Sequence, residues 1–371
     1  MRIGLMLRSM DEKGGIGVYT NNLVLELLRI DRNNQYVLFN RNSANLGRFS
    51  HYTNVTERLV EGSNKLFWDQ FAIPLACWRE KVDIVFHPKF TAPLLAPCKA
   101  VMVVHGADWF IPDQAKFYPK LDVLYMRAMM PLYLKKCAVV ISISRLTTEN
   151  FFGVFSLPPG KIKTIYIGPA RHFHRITDPV KLEEVNLRYN LPDKFIFTLT
   201  KNGGENRKNL SQILQAYALY HKRAEMPHKL VIGGVEARLF PDEYHLSMNG
   251  AGSDIIYTGW IEQEDLPAIY SQADLYLYPS NLEAFPQPIT EAMACGTPII
   301  TSNANGLREI AGDAALLVDP HNAQAISDAI YQVLSNSDLQ VLLARKGLER
   351  SNQFSWDACA KETLSLLESL A

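Results

Sequence analysis

The feature that most constrains this chain is the alternation of two apolar patterns. Short, nearly continuous apolar runs at residues 3–7, 36–39, 84–86, 101–104 and 139–143 read as buried strands. Longer stretches with apolar residues at helical spacing lie between them, such as 18–30 with Leu23, Leu27 and Ile30. The pattern restarts at 195–199 and continues at 229–232, 255–257, 275–278 and 298–301, with helical patterns at 210–222 and 324–334. Strands that are apolar on both sides must be covered on both faces, which helices do when they alternate with parallel strands. The expected fold class is therefore α/β, and two series within 371 residues fit two doubly wound parallel-sheet domains.

The seam between the series falls within 168–193, where Pro169, Pro179 and Pro192 accompany several charges and few apolar runs. Such composition suits a linker. The expected domains are 1–175 and 190–353, followed by an amphipathic helix from Phe354 to Leu370 with Ser355 as its cap. No internal repeat is visible.

Charge and cysteine usage narrow the function. Thirty-eight basic residues balance 38 acidic ones, which argues against a mainly electrostatic nucleic-acid binder. The five cysteines are widely spaced and form no C-x-x-C, so neither a disulfide framework nor a zinc ribbon is expected. A reducing, cytoplasmic compartment is the simpler expectation. No apolar run is long enough for a signal peptide or a spanning helix.

The most informative stretch runs from Pro279 to Gly296. A strand ends at Tyr278, a loop carries Glu283, and Pro288 suits the first turn of a helix that carries Glu291. Open parallel sheets bind ligands at the carboxyl ends of their strands, and a helix N-terminus there favours an anion. Two carboxylates at this spacing can each reach a hydroxylated ring on either side of a phosphate. Arg207 and Lys208 follow strand 195–199 and the loop Asn202-Gly203-Gly204. They can neutralise a phosphate-like anion, with Lys201 as a further candidate. Gly14-Gly15-Ile16-Gly17 lies between the first strand and its helix and permits close backbone approach to a phosphate or sugar. His105 ends strand 101–104, a ligand-facing place in a parallel sheet. Asp108 follows it. His172 and His174 lack a convincing third ligand and read as structural.

Glu283 and Glu291, followed by Ala292-Met293-Ala294-Cys295-Gly296-Thr297-Pro298, resemble the signature of retaining glycosyltransferases of family four, the glycosyl transferases group 1. Asn206-Arg207-Lys208-Asn209-Leu210, Tyr257-Thr258-Gly259-Trp260-Ile261, Ala273-Asp274-Leu275 and Asn305-Gly306-Leu307-Arg308-Glu309-Ile310 match in the expected order. The resemblance implies the GT-B fold, two Rossmann-like domains facing a cleft, with the donor in the second domain and helix 354–371 returning to the first. It implies that Glu291 binds ribose, that Glu283 and His105 orient the donor sugar, and that Arg207 and Lys208 stabilise the leaving diphosphate. Gly15, Gly17, Ile261, Phe285 and Gln287 are further expected donor contacts. The usual Phe-Gly-Leu-Pro is Phe285-Pro286-Gln287-Pro288 here, so one backbone donor is missing and the Gln287 side chain is the substitute.

The reaction so implied is retaining transfer of a hexose-type unit from a nucleoside diphosphate sugar, uridine favoured over guanosine, to a glycan or lipid-linked acceptor in surface polysaccharide or glycolipid synthesis. No D-x-D occurs, and the cations can serve instead, so no metal or other cofactor is expected. The alternatives are a non-catalytic nucleotide-sugar binding protein and an epimerase of the same fold. Residues 116–136 mix Phe117, Tyr118, Leu121, Leu124, Tyr125, Met129 and Met130 with five cations. They suit a helix packed on the first domain or, alternatively, a peripheral contact with the inner membrane surface.

Overall fold

The computed structural model describes all residues except 13, 117, 201–206, 226, 235–250 and 371. The chain divides into two compact units. The first comprises Met1–Ile167 with Trp356–Ala371, and the second comprises Gly168–Ser355.

The first unit is built on a seven-stranded parallel sheet of order β3-β2-β1-β4-β5-β6-β7. Its strands are β1 (Arg2–Met6), β2 (Gln35–Asn40), β3 (Val55–Leu59), β4 (Ile84–His87), β5 (Lys99–Val104), β6 (Cys137–Ser142) and β7 (Ile162–Thr164). The second unit has six parallel strands in the order β10-β9-β8-β11-β12-β13. These are β8 (Phe195–Leu199), β9 (Lys229–Gly233), β10 (Ile255–Gly259), β11 (Leu275–Tyr278), β12 (Ile299–Ser302) and β13 (Leu316–Val318). Both are doubly wound, so each sheet reverses its winding once, between β1 and β4 and between β8 and β11. Ligands bind doubly wound sheets at that point, beyond the carboxyl ends of the strands.

Central strands are buried on both faces. Val231, Tyr276 and Ile299 enter one core layer of the second unit, and Ile196, Leu230, Leu275 and Ile300 enter the other. The helices meet these layers along one stripe each, as in Ala323–Leu334, where Ile326, Ala329, Ile330 and Val333 are buried and Asn322 caps the first turn.

Two expectations change. Residues 168–193 are part of the second unit and not a linker. They contain a helix, Pro179–Tyr189, whose Val185 and Tyr189 enter that unit's core. Its charges, which made the segment look solvated, converge on buried Asp265, which accepts bonds from Lys181 at 2.9 Å and Arg188 at 2.6 Å. The unit boundaries are accordingly 167/168 and 355/356 in place of 175/190 and 353/354. The last helix spans Trp356–Glu368, two residues shorter at its start than expected. It packs on the helix Gly15–Ile30 of the first unit through Trp356 against Tyr19 and an Arg29–Asp357 ion pair of 2.6 Å.

Candidate active site

The winding reversal of the second unit gathers Arg207, Lys208 and Glu283. The turn before the helix Leu210–Arg223 and the loop after β11 are stitched together by backbone. The Arg207 carbonyl accepts from Asn281 N at 2.8 Å and Ser280 Oγ at 2.6 Å. Asn209 takes the left-handed conformation at φ 61°, which asparagine tolerates, and its amide donates to the carbonyls of Pro279 and Pro320. The two cations are thereby carried to the loop carboxylate. Lys208 Nζ donates to Glu283 Oε1 at 2.5 Å, and Arg207 donates to Glu283 Oε2 at 3.0 Å and to the Leu282 carbonyl at 3.0 Å. Tyr278 Oη also donates to Glu283 Oε1 at 2.9 Å and receives a bond from Lys208, and Ser280 Oγ lies 3.2 Å from the same oxygen. Glu283 is no solvated loop residue. It is buried, while the Arg207 side chain is 40% exposed and that of Lys208 25%.

Sequence reasoning missed Tyr278 and Ser280. The available signal was position, since Tyr278 is the last residue of β11. Gly306, which matched the family pattern without an assigned role, also has a physical one. A β-carbon there would lie 2.6 Å from the Glu283 carbonyl oxygen, so only glycine lets the helix Asn305–Ala311 abut the Glu283 loop. The Gly306 amide donates to that carbonyl at 3.0 Å.

The two glutamates have opposite electrostatics. Burial disfavours the Glu283 carboxylate, but Lys208 and Arg207 outweigh burial and hold its pKa down at about 2. Burial pushes Glu291 up to about 8, and the charge of Lys208 only partly opposes this. Glu291 is the fifth residue of the helix Gln287–Ala294, beyond its first turn, so relief from the helix dipole is weak. Charge and burial thus push the two carboxyls in opposite directions, Glu283 toward the ionised form and Glu291 toward the protonated one.

Other expected donor contacts lie in the same unit. Gln287 begins that helix, Pro286 is its cap, and Pro288 stands in its first turn. The Phe285 ring is anchored in the protein, edge-on to Phe354 at 5.8 Å. Ile261 is buried, its side chain filling the space over Gly233. Lys201 and the Asn202-Gly203-Gly204 loop lie outside the described residues, as does Phe117.

His105, Gly15 and Gly17 belong to the first unit. Gly15 and Gly17 form the first turn of the helix Gly15–Ile30 rather than a loop ahead of it. A side chain at Gly17 would collide with the Glu12 carbonyl oxygen. His105, just past β5, bonds the Pro88 carbonyl through Nε2 at 2.9 Å and meets the Tyr19 ring edge-on at 4.7 Å. Burial lowers its pKa to about 4, so the imidazole is neutral. Asp108 accepts from Tyr118 at 2.7 Å.

The winding reversal of this unit also holds a polar network that sequence reasoning did not find. Arg8, just past β1, makes a bidentate pair with Asp69, both bonds 2.8 Å. Thr91 Oγ1 donates to Asp69 at 2.7 Å and meets His87 Nδ1 at 2.9 Å. Lys89 pairs with Glu12. Asp69 lies in a π-helical turn, Trp68–Ala72, a local irregularity common at functional sites. Among the described residues, no group of three or more His, Cys, Asp and Glu could hold a metal ion.

The family model for glycosyl transferases group 1 matches residues 183–350. The O-antigen chain mannosyltransferase B of Escherichia coli is 30% identical over 289 residues, covering 77% of this chain and 74% of that protein. This chain therefore belongs to the glycosyl transferases group 1, and it is a glycosyltransferase. The serotype-specific mannosyltransferase WbdA of Escherichia coli is 26% identical over 274 residues, covering 70% of this chain but only 32% of its own length. This chain thus corresponds to about a third of that longer relative. Solved structures show the same GT-B architecture. Sucrose-phosphate synthase from Thermosynechococcus elongatus superposes with a TM-score of 0.75 at 19% identity, over 100% of this chain and 99% of that one. Anabaena Alr3699/HepE in complex with UDP and glucose gives 0.75 at 17% identity over 100% of both chains.

Proposed function

We propose that this chain transfers a hexosyl unit, in the first instance mannosyl, from a nucleoside diphosphate sugar to a hydroxyl of a growing cell-surface polysaccharide such as an O-antigen chain. The mannosyl and O-antigen assignments rest on the printed activities of its relatives. The carrying observation is the cluster in which one buried carboxylate is shared by two cations that remain partly open to solvent.

In this reading Lys208 and Arg207 bind the diphosphate and stabilise the charge that develops as its bond to the sugar breaks. The hydroxyls of the sugar engage Glu283, and those of ribose engage Glu291. The loop at Phe285 and Gln287, with the Gln287 side chain in place of the missing backbone donor, contacts the sugar and diphosphate, and the backbone near Ile261 contacts the base. His105, neutral and hydrogen-bonded, serves the sugar in the first unit, where Gly15 and Gly17 leave room for a phosphate or sugar. The acceptor oxygen forms its bond to the anomeric carbon on the face the diphosphate leaves, and its proton passes to a diphosphate oxygen. Configuration is retained, and neither metal nor covalent enzyme intermediate is required. Helix Lys120–Lys136, with Leu121, Leu124 and Leu132 exposed among lysines, suits an enzyme whose acceptor is lipid-linked at a membrane surface. Among the described residues no helix is long and apolar enough to cross a membrane.

The test is turnover of purified protein with uridine and guanosine diphosphate sugars, a mannose-terminated acceptor and a chelator. The expected product is one added hexose with the donor's anomeric configuration, formed equally well with chelator present. The sequence favours the uridine donor, and turnover with the guanosine donor alone would correct that choice. Inversion of configuration, a glycosyl adduct on a carboxylate, or release of an epimerised donor would overturn the mechanism.

A further inference from the structure

We infer that the helical stretch 65–79 of the first unit is a docking surface for an anionic bilayer. It consists of Lys65–Phe67, the π-helical turn Trp68–Ala72 and the helix Ile73–Arg79. Its inner side is core, with Trp68, Ile73 and Cys77 packed into the first unit. Its outer side carries Phe67, Phe71, Leu75 and Trp78, spaced four, four and three residues apart, with Leu66 beside them. All five are exposed, Phe71 at 56% and Trp78 at 67%. Phe67 and Phe71 stack on each other at 5.6 Å in open solvent. Single exposed apolar residues are ordinary, but a continuous aromatic and aliphatic row on one helical face marks a contact surface.

The helix Lys120–Lys136 packs into the same core and has an exposed apolar side of its own. Its Met126, Met130, Tyr133 and Leu134 enter the same core cluster as Trp68, Ile73 and Cys77. Lys136, at its end, donates to the Ala96 carbonyl at 2.7 Å. Its outer side shows Leu121 at 79% and Leu124 at 66% exposure, with Tyr125 and Leu132. Charge identifies the partner. Across the two stretches and as far as Asp83, the solvent side carries seven cations: Lys65, Arg79, Lys81, Lys120, Arg127, Lys135 and Lys136. The acids there are Glu80, Asp83 and Asp122, and Glu80 is taken up by Arg2 at 2.7 Å and Arg58 at 2.5 Å. Arg79 and Lys81, together with Asp83, also line a surface pocket of about 640 Å³ with Cys77, Trp78, Val82 and Pro97. Apolar side chains flanked by lysine and arginine suit the boundary between headgroups and acyl chains of an anionic membrane. A protein partner matching this face would need the same acidic rim and apolar centre, and the bilayer supplies both over any length.

This inference rests on the reading of a membrane-borne acceptor but is tested without it. Purified protein is sedimented with vesicles of equimolar phosphatidylglycerol and phosphatidylcholine, and with vesicles of phosphatidylcholine alone. Binding is expected to the anionic vesicles and to fall with added salt. The double variant F71S/W78S, altered only at exposed positions, should lose roughly tenfold or more of that binding. It should keep its melting temperature and its turnover on a water-soluble acceptor. Failure of the wild type to bind, equal binding to neutral vesicles, or undiminished binding by the variant would each overturn the proposal. So would a dimer of the wild type that F71S/W78S dissolves, which would make a second copy the occupant. If vesicles bind as expected but no sugar is transferred, the docking surface stands and the activity reading fails.

Discussion

The two winding reversals have the same topology and a different charge design. In the first unit the described cations at the reversal are matched. Arg8 is closed onto Asp69, Lys89 onto Glu12, and His87 and His105 are neutral, with pKa values lowered by burial to about 3 and about 4. In the second unit Arg207 and Lys208 both pair with the carboxylate of Glu283, whose pKa they hold down, while burial pushes that of Glu291 up to about 8. Among the described residues, the first reversal is therefore neutral and the second holds a surplus of cations over carboxylates. Under the proposed reading, a diphosphate is served by the second kind of site and an uncharged acceptor sugar by the first. Fold alone does not assign the two ends of this reaction, because both sheets offer the same crevice.

The comparison is broken most severely by removing the surplus charge. Lys208→Ala leaves Glu283 held by Arg207, Tyr278 and Ser280, so the protein is expected to fold normally. Turnover should drop by about a hundred- to a thousandfold, the size of losing one preorganised donor at a developing charge. Steady-state kinetics with saturating donor checks this, and a loss below fivefold would remove Lys208 from the transition state.

In the neutral reversal the same kind of deletion should act on stability instead. Asp69→Ala strands the buried Arg8 guanidinium without its bidentate partner. A cost of about 3–5 kcal/mol is expected, read by urea denaturation. A cost under about 1 kcal/mol would mean that water reaches Arg8 and that the reversal is not closed.

A smaller, pH-dependent difference separates the two glutamates. Glu283 has a folded pKa of about 2 against an ordinary 4.5, so the stability it contributes is present above 4.5 and lost as pH falls toward 2. Glu291 has a folded pKa of about 8 against the same 4.5, so the folded state holds a proton that the unfolded chain releases, and stability falls as pH rises from 4.5 to 8. Glu291→Gln cannot ionise. The wild type is therefore expected to lose stability relative to E291Q on going from pH 5 to pH 8, by on the order of 1–3 kcal/mol. Parallel pH profiles for the two proteins would show that Glu291 is ionised and solvated in the empty site.

Much of this was legible in the sequence, and the gaps have a common cause. The central strands announce themselves because burial on both faces makes them almost wholly apolar. The three strands that apolar runs did not reveal, Val55–Leu59, Ile162–Thr164 and Leu316–Val318, all stand at sheet edges. Edge strands are half solvated and short, so Val55–Leu59 can carry Glu57 and Arg58. Arg207, Lys208 and Glu283 were legible because they sit in motif words. Arg8, Asp69 and Thr91 were not, because no spacing links residues brought together only by the order of β1 and β4. Helix 179–189 was hidden for the converse reason, since its charges looked solvated until their shared partner, Asp265, was placed.

Tyr278 is the finest test of the comparison, because its hydroxyl adds no charge to either reversal. It donates to Glu283 Oε1 and accepts from Lys208, and its ring lies 4.7 Å from the lysine nitrogen. Tyr278→Phe keeps the ring and removes the hydroxyl, so the surplus charge remains and only its aim is loosened. A hydrogen bond to a charged group contributes about 1.5–3 kcal/mol, but Ser280 and Arg207 still hold the carboxylate, so about 1 kcal/mol should be felt. That corresponds to roughly a fivefold fall in kcat, with donor KM nearly unchanged. Ser280→Ala, at the longer 3.2 Å contact, should cost less. If Y278F instead falls as far as K208A, the phenol takes part in the chemistry, and charge surplus is no longer the difference that separates the two reversals.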